Sequence, residues 1–310
     1  APRSIVANIH KLEAGHFLTL EDGKVRIRQY WNLPTEGEST GISEPLAIEG
    51  LKTLFEQSVK RRLISDVPLG VFLSGGIDSS SVVAAMSRFM PAEQIKTFSI
   101  GFVEQSFDES SYARQVAKYY GTDHREEICT PESLLNLLPE VVSFLDEPLG
   151  DASIIPTYAL SKFTRKHVTV ALGGDGGDEL FAGYPTFLAE NYAKQYRRVP
   201  SILRKVLLEP AAKLLPVNDD NISLDFKIKQ FIKGASHEDF SRHMLWMGSF
   251  APHELNQLLI ERSYAEVYDD LYRHMKKARG LSTGNALLYI YAKLYLQDDI
   301  LTKVDRASMA

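Results

Sequence analysis

Hydrophobic and polar residues alternate loosely in two runs at the start of the chain, between residues 17 and 30. Asp22-Gly23 lies between the two runs, and this dipeptide is typical of the tight turn of a β-hairpin. Residues 34–44 then become rich in Thr, Glu, Ser and Gly, a composition typical of a linker. We therefore predict a hairpin and a linker over residues 1–43, left from a preceding domain.

Between residues 44 and 184, segments with apolar residues at helical spacing alternate with short apolar runs typical of strands. This pattern predicts strands alternating with helices. The runs that predict strands cover residues 67–73, 96–102, 124–128 and 168–172. Strands separated by helices typically form a parallel sheet with helices on both faces. From residue 185 to 310 only helical spacing is visible, with breaks at 216–223 and 280–282. The pattern thus predicts an α/β core over 44–184 and a helical subdomain over 185–310.

Composition and charge indicate which classes of binding partner the chain could have. Apolar residues make up 44% of the chain and the net charge is −5 without a block of like charges, so neither a nucleic-acid nor a membrane partner is indicated. The single cysteine, Cys129, precludes an internal disulfide and favours a reduced, cytoplasmic setting. The chain lacks an initiator Met and its last helical pattern is still running at Ala310, so we expect a piece of a longer protein.

A first glycine-rich loop, Ser74-Gly75-Gly76-Ile77-Asp78-Ser79-Ser80, connects a predicted strand to a predicted helix. Free N–H groups and the helix dipole attract phosphate at such a place, and two glycines leave room for it. The serine hydroxyls can donate further hydrogen bonds, whereas the Asp78 carboxylate would repel phosphate unless Mg²⁺ bridges them. The spacing fits neither a Walker A loop nor a dinucleotide loop. An ordinary Gly/Ser turn is the alternative interpretation.

A second loop, Gly173-Gly174-Asp175-Gly176-Gly177-Asp178-Glu179, follows the predicted strand over residues 168–172. Its four glycines let the backbone approach a ligand closely. Its three carboxylates are costly side by side unless they share a metal ion or a proton. Alone, the loop is also typical of a Ca²⁺ site or of a flexible acidic turn. The first loop favours a joint site for a nucleotide and Mg²⁺.

These motifs resemble those of a known enzyme family. The first loop resembles the PP-loop of ATP pyrophosphatases, which hold the β,γ-pyrophosphate of ATP and react at its α-phosphate. Several segments resemble the synthetase domain of glutamine-hydrolysing asparagine synthetases, namely 71–80, 97–102, 146–148, 156–158, 172–184 and 298–309. The resemblance implies an adenine nucleotide alpha hydrolase-like fold, with a parallel five-stranded sheet, helices on both faces and a C-terminal helical subdomain.

The resemblance also assigns roles by position. It implies ATP contacts at Leu73 and Ile100, which would hold adenine, and at Ser74, Gly75, Gly76, Asp78, Ser79, Ser80, Gly173 and Gly174. Mg²⁺ would be bound by Asp78 and Asp178. Asp175 would support adenylate formation and deprotonate ammonia, and Lys303 lies in a helix that would face the amino-acid substrate. Well-studied members carry Glu at the position of Asp175, so the reach of this carboxylate is shorter by one methylene group.

The function implied by the resemblance is ATP-dependent adenylation of the aspartate side chain, followed by attack of ammonia. Ammonia would come from glutamine through an N-terminal glutaminase domain that this chain lacks, and the family's catalytic lysine lies beyond the matched region. We therefore expect weak activity or none from the chain alone, and homodimerisation is left open. Two alternatives also stay open. They are a related PP-loop amidotransferase or ligase with another carboxylate substrate, and a non-catalytic nucleotide-binding module.

Overall fold

The computed structural model describes residues 2–35, 41–218, 220–221, 223–237, 240–248, 250–259 and 268–310. The chain divides into two compact units. The first, called the sheet unit here, comprises residues 4–7, 38–177 and 297–310. The second, called the helical unit, comprises residues 1–3, 8–37 and 178–296.

A four-stranded parallel sheet forms the centre of the sheet unit. Its strands are β3 (Leu69–Phe72), β4 (Lys96–Phe102), β5 (Asp123–Cys129) and β6 (Val170–Leu172), in the order β5-β4-β3-β6. Val71 of β3 lies opposite Thr97 of β4 on one side and Leu172 of β6 on the other. Because the strands are parallel, the loops that follow β3 and β6 leave the sheet at the same edge.

Helices flank this sheet and bury β3, one of its two inner strands. They are α1 (Glu44–Arg62), α2 (Ile77–Met86), α3 (Ser110–Tyr120), α4 (Pro131–Ser143) and α5 (Ile154–Arg165), with a 3₁₀ turn at Ala92–Gln94. α15 (Leu301–Met309) belongs to the same unit. Val71, Val83 and Met86 are fully buried and belong to one apolar cluster, which explains why β3 reads as an uninterrupted apolar run.

The helical unit contains a hairpin and a series of mostly short helices. Strands β1 (His16–Glu21) and β2 (Lys24–Gln29) pair antiparallel, and Asp22 and Gly23 adopt positive φ angles of 48° and 72° between them, as a tight hairpin turn requires. The helices are α6 (Gly177–Phe181, which starts at the unit boundary), α7 (Pro185–Tyr196), α8 (Ser201–Leu203), α9 (Glu209–Lys213), α10 (Leu224–Ala235), α11 (Ser241–Trp246), α12 (Pro252–Leu258), α13 (Asp269–Lys277) and α14 (Thr283–Ile290). π-helical stretches cover Arg204–Leu208 and Tyr291–Ile300.

The α/β fold class, the hairpin and all four strands predicted from spacing are confirmed. The expected number of five strands is wrong, since the sheet holds four strands within the described ranges. The fifth strand was implied by resemblance and not by any extended run in the chain, and the residues after β6 continue as helices, so β6 remains an edge strand. Among the described residues, no helix combines the length and the apolar character needed to cross a membrane.

Candidate functional site

The first glycine-rich loop lies between β3 and α2, as the sequence predicts. Gly75 has a φ of +84°, and a Cβ atom added to it would lie 2.5 Å from the backbone N of Ala113 and from the backbone C of Tyr112. Both the left-handed conformation and the close approach to α3 therefore require glycine at this position. The loop is held against α3 with no room for a side chain.

Hydrogen bonds within the loop involve two of its serines. The Ser74 N–H donates to Ser79 Oγ at 3.2 Å, the two hydroxyls are 3.0 Å apart, and the Gly76 N–H donates to Ser74 Oγ at 3.2 Å. Gly76 offers no side-chain cap to α2. The first N–H groups of this helix consequently remain available to an acceptor such as a phosphate oxygen.

The second glycine-rich loop meets the first one inside the sheet unit. A Cβ atom on Gly174 would lie 2.9 Å from the Ser79 N and 3.1 Å from the Asp78 Cβ. A Cβ atom on Gly177 would lie 2.5 Å from the Asp78 Cγ. Any side chain at these two glycines would collide with α2 or with the Asp78 carboxyl group. The structure thus brings both predicted loops together and places the Asp78 carboxylate against the backbone of the second loop.

Asp175 is exposed in the second loop, where it lines a cavity of about 650 Å³ beside β6. Tyr158, Arg165 and Ala307 also line this cavity. A Cβ atom on Gly173 would lie 2.8 Å from Asp175 Oδ2, so the carboxylate lies close to the Gly173 backbone. The predicted base is therefore accessible to a small molecule, and Gly173 adjoins it.

The two predicted adenine contacts lie on neighbouring strands, Leu73 directly after β3 and Ile100 within β4. The Leu73 N–H donates to the Phe98 carbonyl at 2.8 Å, and the Leu73 side chain is buried in the apolar cluster below the sheet. Ile100 lies near the carboxyl end of β4 and is partly exposed. Leu73 can therefore offer a ligand only its backbone carbonyl, whereas Ile100 can offer its side chain.

Lys303 forms a partly buried ion pair that the sequence does not reveal. Its Nζ donates to Asp151 Oδ2 at 2.9 Å and to Ser153 Oγ at 2.8 Å. Burial raises the pKa of Asp151, but hydrogen bonds from Ser153 and Lys303 outweigh it, and the net pKa is lowered. Arg306 makes a second ion pair with Asp146, one of the residues that carried the family resemblance. Both pairs join α15 to the segment between α4 and α5.

Asp178 belongs to the helical unit, where it lies in the first turn of α6. The Gly183 N–H donates to the Asp178 carbonyl at 3.1 Å and closes a tight turn behind it. The next residue, Glu179, is almost fully buried and accepts a hydrogen bond from the Tyr184 hydroxyl at 2.5 Å. The assignment of Asp178 to Mg²⁺ stays a prediction.

The carboxylates of the site determine whether it could hold a metal ion. The described part of the chain contains no group of three or more His, Cys, Asp or Glu side chains that could hold an ion. Mg²⁺ usually binds proteins through one or two carboxylates plus substrate phosphates and not through an all-protein cage. The Asp78 carboxylate, enclosed by glycine backbone and next to uncapped N–H groups, fits that kind of site.

Cys129 ends β5 and is buried. Burial and the neighbouring Glu127 carboxylate raise the pKa of its thiol. The thiolate, which is the nucleophilic form, is therefore disfavoured at neutral pH, in agreement with the interpretation of Cys129 as a structural thiol.

Three residues of interest were missed by sequence reasoning: Asp151, Ser153 and Tyr184. Asp151 and Ser153 contact Lys303 across about half the chain length, and no local spacing signals such a pair. Tyr184 was noted as part of a matching segment, but its bond to Glu179 depends on the turn between them.

The fold and the two loops define an α/β protein with a glycine-lined candidate site at the carboxyl ends of two adjacent parallel strands. The sequence model of the asparagine synthase family matches residues 50–310. The chain belongs to the asparagine synthase family.

Comparison with individual proteins agrees with this family. Glutamine-hydrolyzing asparagine synthetase 1 of Bacillus subtilis is 32% identical over 311 residues, which cover 100% of this chain and 47% of that protein. Putative glutamine-hydrolyzing asparagine synthetase 2 of Methanocaldococcus jannaschii is 36% identical over 317 residues, which cover 100% of this chain and 58% of that protein. The chain thus spans about half the length of these relatives.

A solved structure of glutamine-dependent NAD⁺ synthetase from Acinetobacter baumannii in complex with ADP gives a TM-score of 0.33. Its sequence is 16% identical, and the match covers 86% of this chain and 45% of that one. A TM-score this low does not establish a common fold.

Proposed function

We propose that this chain is the synthetase part of an asparagine synthetase, which uses ATP to convert the aspartate side-chain carboxylate into an amide. The observation that carries the proposal is the convergence of the two loops, with Gly174 and Gly177 packed against Ser79 and Asp78. Membership of the asparagine synthase family supports it. The relatives are named glutamine-hydrolyzing and are about twice as long, so ammonia from a glutaminase domain outside this chain is part of the proposal.

Binding of ATP rests on the first loop and the start of α2. The uncapped N–H groups at the helix start and the loop backbone bind the β,γ-pyrophosphate, and the α-phosphate remains open to attack. Ile100 and the Leu73 backbone contact adenine. Asp78 and Asp178 would hold a magnesium ion, which would neutralise the negative charge on the pyrophosphate.

The chemistry proceeds in two displacements. An oxygen of the substrate carboxylate attacks the α-phosphorus of ATP, the bond to the β,γ-pyrophosphate breaks, and an acyl-adenylate forms. Ammonia then attacks the acyl carbon, the bond to the AMP oxygen breaks, and the Asp175 carboxylate takes a proton from the nitrogen. Asp175 has the exposure that this role requires, since it lines an open cavity.

Product analysis tests this proposal. The full-length protein is incubated with ATP, Mg²⁺ and ammonium, with and without aspartate, and the nucleotides are separated. We expect aspartate-dependent formation of AMP and pyrophosphate. Asp175→Ala should slow amide formation by about 100-fold or more, whereas Asp175→Glu should retain it. Amide formation by Asp175→Ala at the wild-type rate contradicts the assignment of the base.

A panel of other carboxylates in the same assay separates the alternatives. Preference for a different carboxylate identifies a related ligase of the same scaffold. ATP binding without cleavage in the full-length protein identifies a nucleotide-binding module and contradicts the ligase.

A further inference from the structure

A buried carboxylate lies next to the predicted metal ligand Asp178. Glu179 is only 1% exposed, and its Oε1 accepts a hydrogen bond of 2.5 Å from the Tyr184 hydroxyl. Burying a carboxylate without a hydrogen-bond partner is strongly unfavourable. The Tyr184 hydroxyl therefore contributes strongly to keeping Glu179 in this position, although neither residue has a role in the proposed chemistry.

The turn between Glu179 and Tyr184 folds back onto the Asp178 carboxylate itself. A Cβ atom on Gly183 would lie 1.9 Å from Asp178 Oδ1, which leaves no space for any side chain. Ala182, just before it, adopts a positive φ of 57°, a left-handed conformation that is unfavourable for residues other than glycine. The position of the Asp178 carboxylate is thus coupled to a strained turn that the Glu179–Tyr184 hydrogen bond closes.

Tyr184 is in turn fixed by the buried aromatic residues of the helical unit. Its ring centroid lies 5.8 Å from that of Tyr291 and 5.6 Å from that of Tyr295. Tyr291 is fully buried, and its hydroxyl lies 2.6 Å from Thr186 Oγ1 and 3.0 Å from His243 Nδ1. The hydroxyl that bonds Glu179 is consequently held by a ring that packs against buried, hydrogen-bonded residues of this unit.

We propose that Glu179 and Tyr184 are positioning residues, which hold the Asp178 carboxylate in the orientation that binds magnesium together with ATP. This inference rests on the proposed function. Partners that orient metal ligands typically affect metal affinity by about 10- to 100-fold when they are removed. Tyr184→Phe removes only the hydroxyl group that donates this hydrogen bond, and it keeps the ring and its packing.

Calorimetric titration of the full-length protein with ATP, once with Mg²⁺ and once with EDTA, tests the proposal. The quantity compared is the gain in ATP affinity that Mg²⁺ provides. We expect Tyr184→Phe, Glu179→Leu and Gly183→Ala to reduce this gain by about 10-fold or more, with the affinity in EDTA unchanged. Glu179→Gln keeps an acceptor for the Tyr184 hydroxyl, and should retain most of the gain.

Matched controls lie in the same unit. Tyr192→Phe alters an exposed tyrosine of α7, and Gly284→Ala adds a Cβ atom where nothing lies within 4 Å. Both should keep the wild-type gain, and thermal melting confirms that each variant is folded.

Three outcomes contradict the proposal. An unchanged gain in all three test variants overturns the positioning role and leaves the proposed function intact. An equal loss of affinity with Mg²⁺ and with EDTA indicates a purely structural role for the turn. Wild-type protein without any gain from Mg²⁺ overturns the magnesium assignment, and the positioning role with it.

Discussion

At the scale of single residues, the candidate site depends on positions where a side chain is forbidden. Gly75, Gly174 and Gly177 each border an atom that a Cβ would overlap. Glycine-rich motifs of this kind are visible in a sequence, so the loop residues could be predicted without a structure. The neighbour of each glycine could not be predicted in this way, because the packing of α3 and α2 brings Ala113 and Asp78 next to these glycines.

Gly75→Ala should lower the free energy of unfolding by about 3 kcal/mol, since it adds both a strained φ and a collision with α3. Gly121→Ala is the matched control, because Gly121 has a φ of +75° with nothing within 4 Å of its Cβ position. This control should cost only about 1 kcal/mol. Urea denaturation measures both values, and equal costs would show that the contact with α3 is unimportant.

His274 should make the stability of the helical unit depend on pH. Burial, together with the charges of Arg273, Lys277 and Lys293, lowers its pKa to about 4. The unfolded chain, with an ordinary histidine pKa of about 6.5, therefore binds the proton more readily than the folded one between pH 6.5 and 4. Stability is present above that window and is lost as the pH falls through it, by up to about 3 kcal/mol.

Urea denaturation between pH 7 and pH 4 measures this loss. His274→Gln removes the titrating group, so its stability should fall less over that range than that of the wild-type protein. His10→Gln, at an exposed position, should follow the wild-type curve. If His274→Gln also follows the wild-type curve, the buried imidazole is not responsible.

At the scale of elements, helical spacing predicted that residues 185–310 form helices with two breaks, but did not separate the individual helices between the breaks. The break predicted at 216–223 separates α9 from α10, although residues 219 and 222 lie outside the described ranges, and the break at 280–282 separates α13 from α14. The last helix, predicted as continuous, contains a π-helical stretch over Tyr291–Ile300. The spacing of hydrophobic residues does not reveal which backbone hydrogen bonds a helix forms, so the π-helical stretch could not be predicted.

The ion pair of Lys303 makes a prediction about α15. Its side chain and that of Asp151 are only 12% and 19% exposed, so Lys303→Met should leave a poorly solvated carboxylate and cost about 2 kcal/mol of unfolding free energy. The Lys166–Glu127 pair is 60% and 44% exposed with 3.7 Å between its atoms, and Lys166→Met should cost less than about 1 kcal/mol.

Activity and stability measured on the same Lys303→Met protein separate the two roles considered for this residue. A loss of stability is expected from the observed hydrogen bonds to Asp151 and Ser153. Unchanged unfolding together with a large fall in kcat would instead support a direct contact with substrate, as the sequence resemblance implies.

At the scale of the whole molecule, alternating strands and helices sufficed to predict an α/β core followed by helices. The strand count implied by resemblance was one too high, because β6 lies at an edge of the sheet within the described residues. The boundary between the two units also falls inside the second glycine-rich loop, after Gly177. A contiguous motif gives no sign of such a boundary, since compact units are defined by contacts between distant segments.

Transfer of an oxygen atom from aspartate to AMP tests the central claim most directly. The full-length protein is given aspartate labelled with ¹⁸O in its side-chain carboxylate, together with ATP, Mg²⁺ and ammonium, and the products are analysed by mass spectrometry. Adenylation predicts one ¹⁸O atom in each AMP molecule formed and none in pyrophosphate. Release of ADP with labelled phosphate, or of AMP without label, would contradict an acyl-adenylate and with it the proposed function of the two converging loops.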